Sequence, residues 1–135
     1  MGGRGELLAP AEIIDLMRYI RTLVQPLPAG MTSAQLDVRV GEQIYRQHCI
    51  ACHGEEGNGH TALGQHLAPS PRDFTRISEM ASIDDKQLVQ SVTHGVPGTA
   101  MAPWDGALNK EDVRRVIIFI RQRFAVPSRT LPSQK

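Results

Sequence analysis

Both cysteines of this 135-residue chain lie three positions apart, in the run Cys49-Ile50-Ala51-Cys52-His53. That placement constrains the fold first. A bridge between such close neighbours ties no distant parts of a chain together, so no disulfide framework holds this topology. The pair and its histidine must act in some shared chemistry instead. A thioredoxin-type pair needs a βαβ context, and no segment here shows the sustained alternation of a strand. A zinc site needs further ligands. His48, His60, His66 and His94 are available, yet none belongs to a second cluster of matching spacing.

A third chemistry uses the whole run. Two thiols at this spacing can add across the two vinyl groups of one heme, and the adjacent His53 then lies under the iron as an axial ligand. Composition supports a bound apolar cofactor. The chain has six aromatic residues, 4% of its length, and rings normally supply much of a small core. A chain this poor in rings has a thin core or takes apolar mass from a cofactor.

Apolar periodicity predicts four helical segments in an all-α chain with long loops. Pro10 suits a first helical position, and Ile13, Leu16, Met17, Ile20 and Val24 repeat at helical steps before Pro26 and Pro28. Residues 25–32 read as a linker. A second helix is predicted from Thr32 or Ser33 to about Cys49, with Leu36, Val40 and Ile44 on one face. Residues 54–73 hold four glycines and two prolines and read as a long loop. Ser82 and Asp85 resemble a capping box that opens a short helix through Leu88, Val89 and Val92, stopping before Gly95. Asn109 caps the last helix, whose apolar face is Val113, Val116, Ile117 and Ile120.

Charge excludes some partners. The formal net charge is +1, whereas nucleic acid and anionic membrane both select a large basic excess. No apolar run is long enough to span a bilayer. The charge is uneven, however: residues 1–109 carry 8 basic and 12 acidic side chains, and residues 110–135 carry seven basic and two acidic. This reads as a solvated helix face with a basic tail, or as a docking surface for an acidic partner.

A low-spin heme needs a sixth ligand, and Met80, Met101, His60, His66 and His94 are candidates. Methionine is usually core filler. Met101 differs because it lies in the Gly/Pro-punctuated run Gly95-Val96-Pro97-Gly98-Thr99-Ala100-Met101-Ala102-Pro103-Trp104. Such a loop between two helices can present a thioether without sacrificing helical hydrogen bonds.

Three motifs together carry a family resemblance. They are Gly41-x-x-x-Tyr45-x-x-x-Cys49-Ile50-Ala51-Cys52-His53-Gly54, then Pro69-Ser70-Pro71-Arg72-Asp73-Phe74-Thr75, then His94-Gly95-Val96-Pro97-Gly98-Thr99-Ala100-Met101. Over about residues 33–125 the chain resembles a class I c-type cytochrome domain of the bacterial kind. The resemblance implies an all-α fold around one covalent heme c, attached through Cys49 and Cys52. It implies His53 as proximal ligand and Met101 as distal ligand to the iron. It also implies that Gly41 and Tyr45 meet Val116 and Phe119 where the first and last helices of the domain cross. A proline carbonyl orients the proximal histidine in such proteins, as an outer-shell partner does; Pro69 is the candidate, with Pro71 as the alternative. Arg72 is a partner for a heme propionate or an ordinary solvated arginine. Trp104 packs on the heme or its propionate edge.

By the same resemblance the function is electron transfer between redox partners, free or as the heme subunit of a larger oxidoreductase. The alternative is a heme enzyme or gas sensor with an open sixth position. Heme attachment of this kind takes place outside the bacterial cytoplasm, so the expected location is the periplasm. No apolar leader precedes the domain, which is expected if a signal was removed or if the chain is part of a longer precursor. The expected domains are a helix at 1–24, a linker at 25–32, the cytochrome domain at 33–126 and a tail at 127–135. Residues 8–21 echo 108–121 in character, including Tyr19-Ile20-Arg21 against Phe119-Ile120-Arg121. The first helix is therefore expected to be the last helix of a preceding cytochrome domain, or else a docking helix for a partner or a second copy.

Overall fold

The computed structural model describes residues 13–14 and 29–125. The helix expected at 10–24 and the tail at 127–135 fall outside the described residues, save Ile13 and Ile14, which are helical and exposed. Everything below concerns the compact unit that begins at Thr32.

Thr32 opens the first helix, α1 (Ser33–His48), with a capping box. Its hydroxyl accepts from the Gln35 amide, and the Gln35 side chain accepts from the Thr32 amide, so two otherwise orphaned donors are satisfied. The chain breaks step at Cys49 and continues as one further turn, α2 (Ile50–His53). The expected loop follows, with a single 3-10 turn at Gly64–His66. A short helix absent from the sequence-based prediction, α3 (Ile77–Ala81), precedes α4 (Asp85–His94) and α5 (Lys110–Phe124). Among the described residues there is no strand, as expected for an all-α chain.

The expected cap at Ser82 is corrected. Ser82 ends α3, donating its hydroxyl to the Glu79 carbonyl. Asp84 is the residue whose carboxylate reaches the Gln87 amide, and Gln87 returns the bond to the Asp84 amide. The box therefore begins two residues later than predicted. Asn109 caps α5 as expected, in a box with Asp112.

α1 packs chiefly on α5. At the crossing a Cβ on Gly41 would lie 2.1 Å from the Arg115 carbonyl oxygen and 2.9 Å from Phe119 Cβ, so only glycine admits this approach. Tyr45 packs on Phe119 with centroids 5.4 Å apart. Arg115 and Phe119, four apart on α5, come closest to Gly41, where the resemblance implied Val116 and Phe119. Val116, Ile117 and Ile120 turn to the interior on the next strip of the same helix, where all three are buried. Asp37 ties the crossing by accepting from Arg114 at 2.8 Å and Arg115 at 3.0 Å. Further along α5, Arg121 donates to the carbonyls of Met80 and Ile83 and to the Asp85 carboxylate, pinning the entry to α4.

Candidate cofactor site

The interior strip of α5 forms one wall of a cavity of about 610 Å³. Val116, Ile117 and Ile120 line it together with Leu88 and Val92 of α4, so this wall is aliphatic. Cys49, Cys52 and His53 line the same cavity from the junction of α1 and α2, and Met101 and Trp104 from the loop before α5. Pro69, Pro71, Arg72 and Phe74 line it from the long loop.

Local hydrogen bonding fixes the cysteine–histidine turn. The Cys49 amide donates to the Tyr45 carbonyl at 2.9 Å, and the His53 amide to the Cys49 carbonyl at 3.0 Å. Thr61 clasps the turn from the loop side: its hydroxyl donates to the Ala51 carbonyl at 2.7 Å and accepts from the Gly64 amide at 2.8 Å. The Tyr45 hydroxyl donates to the Gly54 carbonyl at 2.6 Å, just beyond the histidine. Burial pushes the Cys49 thiol up to about 11, with the neighbouring Cys52 adding to the effect. No disulfide joins the two cysteines.

The His53 ring is held from two directions. Its Nδ1 faces the Arg72 carbonyl oxygen at 3.4 Å, and its face lies on Phe74, with centroids 4.5 Å apart and planes 14° from parallel. The expected proline partner is thus corrected to the Arg72 backbone. The Pro71 carbonyl packs against Gly59 instead, where a Cβ would meet it at 3.0 Å, and Pro69 supplies cavity wall. Burial holds the imidazole below its ordinary range by disfavouring the cation, while the Arg72 carbonyl opposes that shift. With the Nδ1 proton directed at the Arg72 carbonyl, the Nε2 lone pair has no protein donor among the described residues.

Met101 is fixed by its own loop. Its carbonyl accepts from the Val96 amide at 3.0 Å, and its amide donates to the Thr99 hydroxyl at 3.1 Å. The fold-back passes so close to Gly95 that a Cβ there would lie 2.6 Å from the Met101 carbonyl oxygen; Gly95 also has φ +71°. The loop is fastened to α4 by Trp104 and Asp105, whose amides donate to the Val92 and Thr93 carbonyls. Of the other sixth-ligand candidates, Met80 is fully buried in the core and does not line the cavity. His60, His66 and His94 are exposed and do not line it either.

Arg72 is exposed at the cavity rim, close to Arg76, which pairs with Asp73 and Glu79. Trp104 lines the cavity and meets the His48 ring at 5.1 Å. Thr61 and Phe74 are site residues that sequence reasoning missed, and His48, weighed there only as a zinc ligand, lines the cavity beside Trp104. Phe74 was visible inside the Pro-Arg-Asp-Phe run but had no role there. Among the described residues no three His, Cys, Asp or Glu side chains gather to hold a metal, and there is no strand for a βαβ unit.

The donor set and shape suit heme c. Two thiols, a neutral imidazole and a thioether share one cavity with a broad aliphatic wall, of a volume ordinary for cofactor sites at roughly 300–1,000 Å³. Residues 36–120 match the family model described as cytochrome c oxidase, cbb3-type, subunit III. The chain belongs to this family. It is 30% identical over 119 residues to the cbb3-type cytochrome c oxidase subunit FixP of Bradyrhizobium sp. (strain ORS 278), an alignment covering 87% of this chain and 37% of the relative. It is also 30% identical over 103 residues to cytochrome c55X of Stutzerimonas stutzeri, covering 74% of this chain and 75% of that protein. Among solved structures, the KustC0563 c-type cytochrome superposes with a TM-score of 0.54 at 30% identity, covering 61% of this chain and 94% of that one. The family is thus that of class I c-type cytochrome domains with covalent heme c, an all-α fold whose work is electron transfer. The chain spans little more than a third of the FixP relative's length.

Proposed function

We propose that this chain binds one heme c through Cys49 and Cys52, ligates its iron with His53 and Met101, and passes single electrons between protein partners. The observation that carries this reading is the convergence of those four side chains, from two separate segments, on one largely apolar cavity. When bound, the heme supplies a one-electron Fe(II)/Fe(III) couple.

The chain's own residues hold and tune that group. The thiols anchor it, so retention does not depend on a ring-rich core. His53 presents its Nε2 lone pair because burial keeps the imidazole neutral. Met101 presents a thioether from a loop whose backbone is tied at Val96, Thr99 and α4. The aliphatic wall of Leu88, Val92, Val116, Ile117 and Ile120 excludes water and favours the less charged iron state, as does a thioether ligand. Arg72 and Arg76 at the rim suit the propionates, and Trp104 closes the side nearest His48. With His53 and Met101 both serving as ligands, no open coordination site would remain for a substrate, and the chain would carry electrons only.

The relatives support a place in a larger complex. FixP is named as a cytochrome c oxidase subunit, and by that likeness the partners are the redox subunits of such an oxidase, with residues 33–126 as the heme domain on the periplasmic side. No helix among the described residues is long and apolar enough to cross a membrane.

The test is expression with the c-type maturation machinery, followed by intact mass, visible spectrum and a challenge with cyanide or carbon monoxide at neutral pH. One covalent heme per chain, a low-spin spectrum and slow ligand entry are expected. A heme-free product refutes the cytochrome reading, and rapid ligand binding refutes Met101 ligation.

A further inference from the structure

We infer that Phe74 is the positioning residue of the axial histidine: its ring face, more than the backbone hydrogen bond, sets the orientation of the His53 imidazole. This rests on His53 being the heme ligand, as proposed above. An axial imidazole can rotate about its own bond to iron, and outer-shell contacts choose the angle. The usual device is a short hydrogen bond from Nδ1, at about 2.9–3.0 Å for an N–H donor to a carbonyl. Here the Nδ1 to Arg72 oxygen distance is 3.4 Å, long enough to leave that restraint weak. The flat contact is the close one. Phe74 lies 4.5 Å from the imidazole centroid with planes 14° from parallel, at the near limit for stacked rings, about 4.5–7 Å. Turning the imidazole about its Cβ–Cγ bond would drive an edge into that face.

Phe74 is itself fixed. Its amide donates to the Gly57 carbonyl at 2.8 Å, and Asp73 beside it accepts from both the amide and the hydroxyl of Thr75. Its ring is buried and stacks onward on Phe124 at 6.1 Å and 27°. Phe124 in turn packs on Tyr45 and Phe119 at the helix crossing. The backbone bonds around Phe74 therefore place its ring, and Phe124 backs it from the far side.

The experiment compares ferric holoproteins by low-temperature electron paramagnetic resonance and by the proton resonances of the heme methyl groups, both sensitive to axial imidazole orientation. The parent and Phe74→Tyr, which keeps the flat face, are expected to show one low-spin species. Phe74→Leu is expected to keep covalent heme and resistance to cyanide while its signal splits or broadens into several orientations. Phe124→Leu loosens the same cluster without touching the imidazole face and is expected to keep the single species. A single parent-like signal in Phe74→Leu overturns the inference. So does equal broadening in Phe124→Leu, which would mark general loosening. Where Phe74→Leu gives no holoprotein, Phe74→Met, unbranched and without a ring, is read the same way. Failure of the histidine-ligation reading would be seen separately, as a parent spectrum without a histidine-ligated low-spin heme.

Discussion

A methyl group placed at Gly41 tests whether the helix crossing is the rigid reference of the fold. In Gly41→Ala the new Cβ would lie 2.1 Å from the Arg115 carbonyl oxygen and 2.7 Å from its carbon. Ordinary contact begins near 3.5 Å, so α5 must withdraw by more than ~1 Å. The obstacle is helical backbone, which has no rotamer to change, and the Asp37 pairings with Arg114 and Arg115 oppose withdrawal. Overpacking of this kind costs about 1–3 kcal/mol, and a backbone obstacle belongs at or above the upper end. Against that, alanine is preferred over glycine inside a helix by about 1 kcal/mol. The net expectation is a loss of about 2 kcal/mol, or roughly 8–16 °C in Tm for a domain of this size. Guanidinium and thermal unfolding of the holoprotein, followed by far-ultraviolet circular dichroism, read this directly. Gly106→Ala is the control, since a Cβ there meets nothing within 4 Å; its change should stay within about 0.5 kcal/mol. A Gly41→Ala protein as stable as the parent would refute the reasoning, because propensity would then have outweighed packing.

Four other outcomes are expected. Met101→Leu keeps the volume but removes the thioether, so the ferric protein should bind cyanide at neutral pH and show a lower reduction potential; parent-like resistance would assign the sixth ligand elsewhere. Tyr45→Phe deletes the 2.6 Å bond to the Gly54 carbonyl and should cost about 1–2 kcal/mol in denaturant unfolding, with an unchanged midpoint counting against that bond. Hydrogen bonds from Arg114 and then Arg115 hold the Asp37 carboxyl below its ordinary value, so its folded pKa lies under its unfolded one. The stability this gives is present above about pH 4 and fades as pH falls through the folded value; urea midpoints against pH should lose that acid limb in Asp37→Asn. Finally, Cys49→Ser combined with Cys52→Ser should abolish covalent heme and cooperative unfolding, judged by mass and near-ultraviolet circular dichroism, and a cooperatively folded heme-free variant would contradict it.

What the sequence disclosed follows from the range over which each signal acts. The helix pattern of α1, α4 and α5 is a property of neighbours three and four apart, and Asn109 reaches only three residues to its cap partner. The cysteine–histidine run is equally local. Ser82 has the right spacing to Asp85 for a cap, but its hydroxyl bonds backward to Glu79, and Asp84 is left to reach Gln87. α3 is five residues with no side-chain cap, too short to show a period. The misplaced proline partner has a different cause. Every residue from Pro69 to Arg72 offers a carbonyl of the same chemistry, and only the path of the loop decides which one faces the imidazole. Thr61 and Phe74 were illegible for a related reason: they act on Ala51 and His53 across ten and twenty-one positions, through contacts that no periodicity encodes.

The scarcity of rings takes a more specific meaning in the folded chain. Tyr45, Phe74, Phe119 and Phe124 are not spread through the core but form one cluster, with centroids 5.4 to 6.1 Å apart. Gly57 makes room for it, since a Cβ there would meet the Phe124 ring at 2.8 Å. The cluster stands behind His53, leaving the α4 and α5 wall of the cavity to aliphatic side chains. In the proposed reading the chain's own rings back His53, and the heme would supply the aromatic surface that faces the aliphatic wall of α4 and α5.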